Sequence, residues 1–170
     1  LHDFNLHKKN LLIIGAGGAT KGILGPILDA QPESVTISNR SFEKIALLKV
    51  QFNNPLLTFN LLNDLNSDSN LNDYNKTVSF DVIINATSSS VSMEDSLLNP
   101  KYFRDAKLIV DLFYAKKLTN FLRVAKEFGC NNVMDGFPML VEQAAESFYI
   151  WTGLKPDTNK IISKRDVFFE

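Results

Sequence analysis

The sequence has few of the residues that carry metal and redox chemistry. In 170 residues there is a single cysteine, Cys130, and only two histidines, His2 and His7. One cysteine cannot form an internal disulfide, which suits a reducing compartment. Both histidines lie in the lead-in 1–10 without metal-ligand spacing, so they receive no role and no metal is expected. An apolar run of membrane-spanning length and a charged-then-apolar leader stretch are both missing. A net charge of -1 gives no basic excess for nucleic acid or membrane surfaces. The expectation is a cytoplasmic protein with neither nucleic acid nor membrane among its partners.

With 45% hydrophobic and 22% charged residues, 1–170 reads as one domain. Short aliphatic runs alternate with segments of helical period, the pattern of βαβ units. Strands are expected at 11–14, 35–38, 56–62, 81–85, 107–112 and 132–134. The expected helices are 20–30, 41–52, 118–128, 139–152 and 159–168, the last two forming a C-terminal helical part over 138–170. The fold class is therefore α/β, a Rossmann-like doubly wound, mainly parallel sheet of about six strands with helices on both faces. The polar stretch 63–76 reads as a solvated connection with room for one short helical turn. Ser41 is a fair N-cap, although Lys44 stands where a capping box needs Glu.

The first strand runs into Gly15-Ala16-Gly17-Gly18-Ala19-Thr20 and then a helix. Gly15 permits the tight turn and Gly17 close backbone approach to a pyrophosphate, which rests at the positive end of the helix. Thr20 replaces the third glycine of the dinucleotide fingerprint. Lys21 has the wrong order and spacing for a nucleoside-triphosphate loop.

The second strand ends in Asn39-Arg40-Ser41, with Lys44 a turn on, where an NAD site would place a carboxylate. A guanidinium there clamps the extra phosphate of NADP. Charge-assisted bonds of roughly 1.5–3 kcal/mol give a preference for NADP of about tenfold to a hundredfold from Arg40. The bland alternative is a solvated arginine at a helix start.

Five segments in this order, GAGGATKG, TISNRSFEK, DVIINATSSS, IVDLFY and DGFPMLVEQAAESFYIWTG, closely resemble the NADP-binding domain of shikimate dehydrogenases, from about Leu11 to Pro156. The resemblance implies NADPH-dependent reduction of 3-dehydroshikimate to shikimate, in the making of aromatic amino acids. It implies that Gly15, Ala16, Gly17, Gly18 and Ala19 hold the pyrophosphate, and that Asn39, Arg40, Ser41 and Lys44 hold the adenosine and 2′-phosphate. Thr87 and Ser88 match the turn lining the cofactor, Leu112 and Gly136 the nicotinamide end, and Tyr114 and Gln143 the reach to substrate. Each has a bland counterpart: a strand-ending turn at 85–88, a boundary tyrosine, a surface amide.

The pattern departs from the family at Leu112, often a methionine, at Pro138, often a second glycine, and at Ser88-Ser89-Ser90, often a glycine-ending turn. The family's acid, a lysine paired with an aspartate, belongs to a substrate domain preceding the nucleotide domain. That domain is the expected missing partner, with 1–10 as the lead-in from it. Asp111 and Asp135 fall at strand ends but show no basic partner nearby in sequence, and Lys116 and Lys117 read as solvent-facing. No catalytic residue is assigned, so the parent protein is the enzyme and this chain alone is expected to be inactive. Two rival readings are a quinate-using dehydrogenase of the same superfamily and a non-catalytic NADP-binding regulatory module. Apolar residues among Phe148, Tyr149, Ile150, Trp151, Phe168 and Phe169 are expected to form an uncovered surface that pairs with a second copy or associates non-specifically.

Overall fold

A computed structural model of the chain describes residues 4–67, 79–88 and 98–169. The sheet has six strands, β1 Asn10–Ile14, β2 Ser34–Asn39, β3 Leu57–Leu61, β4 Val82–Asn85, β5 Leu108–Asp111 and β6 Val133–Asp135. Every pairing is parallel and the order is β3-β2-β1-β4-β5-β6. This is the doubly wound α/β sheet expected from the alternating pattern, with the strand order reversing beside β1.

Two apolar layers cover it. Leu11, Ile13, Val35, Ile37, Val82 and Val110 face α1 (Gly18–Asp29) and α2 (Phe42–Gln51), which contribute Leu24, Ile27 and Leu48. The alternate residues Leu12, Ile14, Ile83 and Ile109 face α3 (Leu62–Asn66), a 3-10 turn at Pro100–Phe103 and α4 (Asn120–Glu127). Strands covered on both faces must be apolar at successive positions, which is why these runs do not alternate.

Several boundaries differ from expectation. The connection after β3 starts with α3, because Leu62 and Leu65 are buried and pull the turn onto the sheet. Leu62 therefore leaves the expected strand; positions 68–76 of that connection, like Ser89, Ser90 and His2, lie outside the described residues. Helix α4 begins late, since the Thr119 hydroxyl takes the N-cap and accepts from the Leu122 amide at 3.3 Å. Helix α5 (Phe137–Thr152) begins early, with Pro138 in its first turn, and stops at Gly153, whose φ is +73°. The single final helix is instead α6 (Thr158–Ser163) followed by a 3-10 turn at Arg165–Phe169. The lead-in is less polar in effect than in composition, because Phe4 and Leu6 pack on the α1 side of the core. Among the described residues, no helix is long and apolar enough to cross a membrane.

Candidate functional site

The C-terminal edge of the sheet is one register row, Ser38–Ile14–Asn85–Asp111–Asp135. All five residues are buried and four are polar. Buried polar groups need partners, and three of these make the same local bond. Asn85 Oδ1 accepts from the Thr87 amide at 3.1 Å, Asp111 Oδ1 from Phe113 at 3.2 Å and Asp135 Oδ1 from Phe137 at 3.2 Å. Each strand end thus folds its following turn back upon itself. Asn85 Nδ2 also donates to Asp111 Oδ1 at 3.2 Å, joining two of the turns.

Gly15 leaves β1 with φ +112°, and its amide donates to the Ser38 carbonyl at 2.7 Å. A Cβ there would lie 2.8 Å from the Ala86 carbonyl oxygen, so only glycine fits. Gly17 and Gly18 differ, since a Cβ on either would meet nothing within 4 Å. Gly17 is the N-cap of α1, which has no side-chain cap and no acidic residue in its first turn. The open backbone at a helix start, with no carboxylate near it in the helix, suits a phosphate. Ala16 is buried beneath the loop, while Gly18 and Ala19 are exposed on it. Thr20, in the place of the third glycine, is fully buried and donates its hydroxyl to the Gly15 carbonyl at 2.8 Å.

At the end of β2, Asn39 donates its side-chain amide to the Ser41 carbonyl at 3.0 Å, and Arg40 and Lys44 are exposed. Ser41 caps α2 as expected, its oxygen accepting from the Lys44 amide at 3.5 Å. Its proton goes to Glu43 Oε2 at 2.8 Å. Glu43's own backbone amide, and then the Ser41 hydroxyl, hold that carboxyl below its ordinary range. Glu43 thus places a negative charge in the first turn of α2, among Arg40, Ser41 and Lys44, the residues that the resemblance matches to a 2′-phosphate site.

Thr87 is half-buried and donates its hydroxyl to Asn85 Oδ1 at 2.7 Å, while Ser88 is exposed. Gly136 is buried against β5, with its amide donating to the Phe113 carbonyl at 3.1 Å. A Cβ at Gly136 would fall 2.0 Å from the Leu112 carbonyl oxygen, so Leu112 and Gly136 are tightly apposed. Tyr114, 37% exposed, packs between the rings of Phe113 and Phe137 at centroid distances of 6.2 and 6.3 Å. Gln143 is exposed and lines a cavity of about 530 Å3 together with Gly18, Ala19, Gly22 and Met139. The glycine-loop side of α1 and the exposed face of α5 therefore share one recess.

The sequence shows no basic residue near Asp135, yet the fold supplies one from thirty residues on. Arg165 donates Nη1 to Asp135 Oδ1 at 2.7 Å and Nη2 to Oδ2 and to the Ala115 carbonyl. Asp111 is likewise committed, to Asn85 and the Phe113 amide. Among the described residues, no cluster of His, Cys, Asp and Glu has metal-binding form. Phe148, Tyr149, Ile150, Trp151 and Phe168 are exposed by 43% to 80%, as expected of the C-terminal surface; the Phe169 side chain lies outside the described residues.

The chain matches the family model described as shikimate / quinate 5-dehydrogenase over residues 1–114, and the shikimate 5'-dehydrogenase C-terminal domain over 136–163. A protein named shikimate dehydrogenase (NADP(+)) from Dechloromonas aromatica is 38% identical over 161 residues, 95% of this chain and 56% of that protein. The solved structure of an Ael1 enzyme from Pseudomonas putida is 37% identical, with a TM-score of 0.83 over 94% of this chain and 55% of that one. Shikimate dehydrogenase from Aquifex aeolicus, 28% identical, has a TM-score of 0.73 over 96% of this chain and 55% of its own. The chain spans about half the length of the curated relatives it matches. Two successive family models on one sequence, together with that identity, place the chain in the shikimate/quinate 5-dehydrogenase family.

Proposed function

We propose that this chain is the NADP(H)-binding part of a shikimate dehydrogenase, which reduces 3-dehydroshikimate to shikimate in aromatic amino acid biosynthesis. By itself it binds the cofactor without turnover. The observation that carries this reading is the pairing of an open glycine loop at the start of α1 with a cationic end to the neighbouring β2. The first accepts a pyrophosphate, and the second distinguishes a 2′-phosphate from a hydroxyl.

When bound, NADPH supplies the hydride. Gly15 to Ala19 hold its pyrophosphate, and Arg40, Ser41 and Lys44, with Asn39 shaping the turn, hold the phosphorylated ribose. Thr87 and Ser88 border the cofactor. Leu112 and Gly136, whose backbones are in close contact, would hold the nicotinamide end. Tyr114, from the segment after β5, and Gln143, from α5, would reach toward substrate. Asp111 and Asp135 are occupied in shaping turns, so proton transfer is assigned to groups of a substrate domain outside the sequence. The exposed apolar residues of α5 and the tail are assigned to contact with that domain or with a second copy.

The test is direct. The purified chain is mixed with NADPH and, separately, with NADP+ and shikimate. Saturable NADPH binding without appearance of NADPH from the second mixture agrees with the reading. Normal-rate shikimate oxidation by the chain alone contradicts the assignment of proton transfer elsewhere, and failure to bind NADPH contradicts the cofactor site.

A further inference from the structure

Arg165 lies in the C-terminal 3-10 turn, far in sequence from the strands, yet it is the point where three separate pieces of the sheet's C-terminal edge meet. Its guanidinium takes both oxygens of Asp135, at the end of β6. It also donates to the carbonyl of Ala115, in the segment after β5 that carries Leu112 and Tyr114. Its Cζ lies over the ring of Phe137, 5.3 Å from the centroid; Phe137 is the first residue of α5 and packs in turn against Tyr114 and Phe168. The Asp135 side chain is 6% exposed and that of Arg165 29%, so the pair is largely shielded from water.

A planar fork suits this position in a way an ammonium does not, because three acceptors must be met in one plane while a face remains for the ring. Asp135 fixes the amide of Phe137, and Gly136 between them presses on the Leu112 carbonyl. Movement of Asp135 therefore moves Gly136 against Leu112, and release of Ala115 frees the segment bearing Tyr114.

We propose that Arg165 is a positioning residue for the nicotinamide end of the site, holding the turns after β5 and β6 in register with each other. This rests on the cofactor reading given above. Arg165 touches neither cofactor nor substrate; it acts through Asp135, Ala115 and Phe137. Its described partners, Asp135, Ala115 and Phe137, belong to the β5 and β6 turns and not to the glycine loop, so the adenosine end is expected to be independent of it.

The experiment titrates wild type, Arg165→Gln and Arg165→Lys with NADPH and with adenosine 2′,5′-bisphosphate, which carries the 2′-phosphate but no nicotinamide. Emission from the reduced nicotinamide of bound NADPH is recorded alongside. The expected result for Arg165→Gln is a loss of about tenfold in NADPH affinity with altered nicotinamide emission, while the bisphosphate binds within about twofold of wild type. Arg165→Lys, which keeps the charge but not the fork, falls between and is read alone if Arg165→Gln does not fold. Equal losses for both ligands, or no loss for either, overturn the assignment. A wild-type chain that binds the bisphosphate but gains no affinity from the nicotinamide half also overturns it. Failure of the wild type to bind either ligand removes the cofactor reading itself, and with it this role.

Discussion

The hydroxyl of Thr20 donates to the carbonyl of Gly15 at 2.8 Å, tying the first turn of α1 to the point where the chain leaves β1. The residue that breaks the glycine fingerprint is thus a staple within the loop. Thr20→Val keeps the shape but leaves a buried carbonyl without its donor, and is expected to cost about 1–3 kcal/mol. Thr20→Gly, which restores the fingerprint, is expected to destabilise as well, through the same lost bond and added unfolded-state freedom. Urea unfolding of both variants checks this; a Thr20→Gly protein more stable than wild type would contradict it.

The glycines divide into two kinds. Gly136→Ala drives a methyl to 2.0 Å from a backbone oxygen that cannot move aside cheaply, so a loss at the upper end of about 1–3 kcal/mol is expected. Gly17→Ala meets open space and is expected to stay within about 1 kcal/mol of wild type in stability, yet to weaken NADPH binding by occupying the space above the loop. Thermal unfolding and NADPH titration of the two variants separate the effects.

On the proposed reading, Arg40 and Lys44 attract the 2′-phosphate and Glu43 opposes it. Glu43→Gln removes the charge and releases the Ser41 hydroxyl, and is expected to tighten NADPH binding by roughly twofold to fivefold at low salt, with NADH unchanged. An equal gain for both cofactors would show that the effect is not at the 2′-phosphate.

Asp81 joins three strands at the opposite edge. It accepts from the Asn10 amide at 2.9 Å and from Lys107 Nζ at 2.6 Å. The Lys107 hydrogen bond first, and then the Asn10 amide, hold its carboxyl below the ordinary value. A carboxyl lowered in the folded state contributes stability above its unfolded pKa of about 4, and loses it as pH falls through the folded pKa. Asp81→Asn is therefore expected to cost about 1 kcal/mol at pH 7, with the difference from wild type shrinking below about pH 4. Unfolding curves at the two pH values decide it.

What could be read in advance follows from the range of the forces involved. The aliphatic runs at β1, β2 and β4 and the glycine loop are local patterns, so fold class and strand positions were legible, with errors of a few residues where Leu62 or Thr119 chose a different partner. Arg40 was legible from its place at the end of the second strand, whereas Thr87, Tyr114 and Gln143 came from motif order, not from any visible contact. The link between Arg165 and Asp135 was not legible, because a single arginine thirty residues away carries no periodicity and no motif. The common signal for the strand-end turns was present in Asn85, Asp111 and Asp135, three Asx residues each closing a strand.

On the proposed reading the end of β2 selects a phosphorylated ribose. The most direct measurement of this selection is calorimetric titration of the chain with NADPH and NADH side by side, for wild type and Arg40→Ala. The prediction is tighter binding of NADPH by wild type, with Arg40→Ala losing about tenfold or more toward NADPH and little toward NADH. Equal affinity of wild type for the two cofactors, or equal losses on removing Arg40, would contradict it.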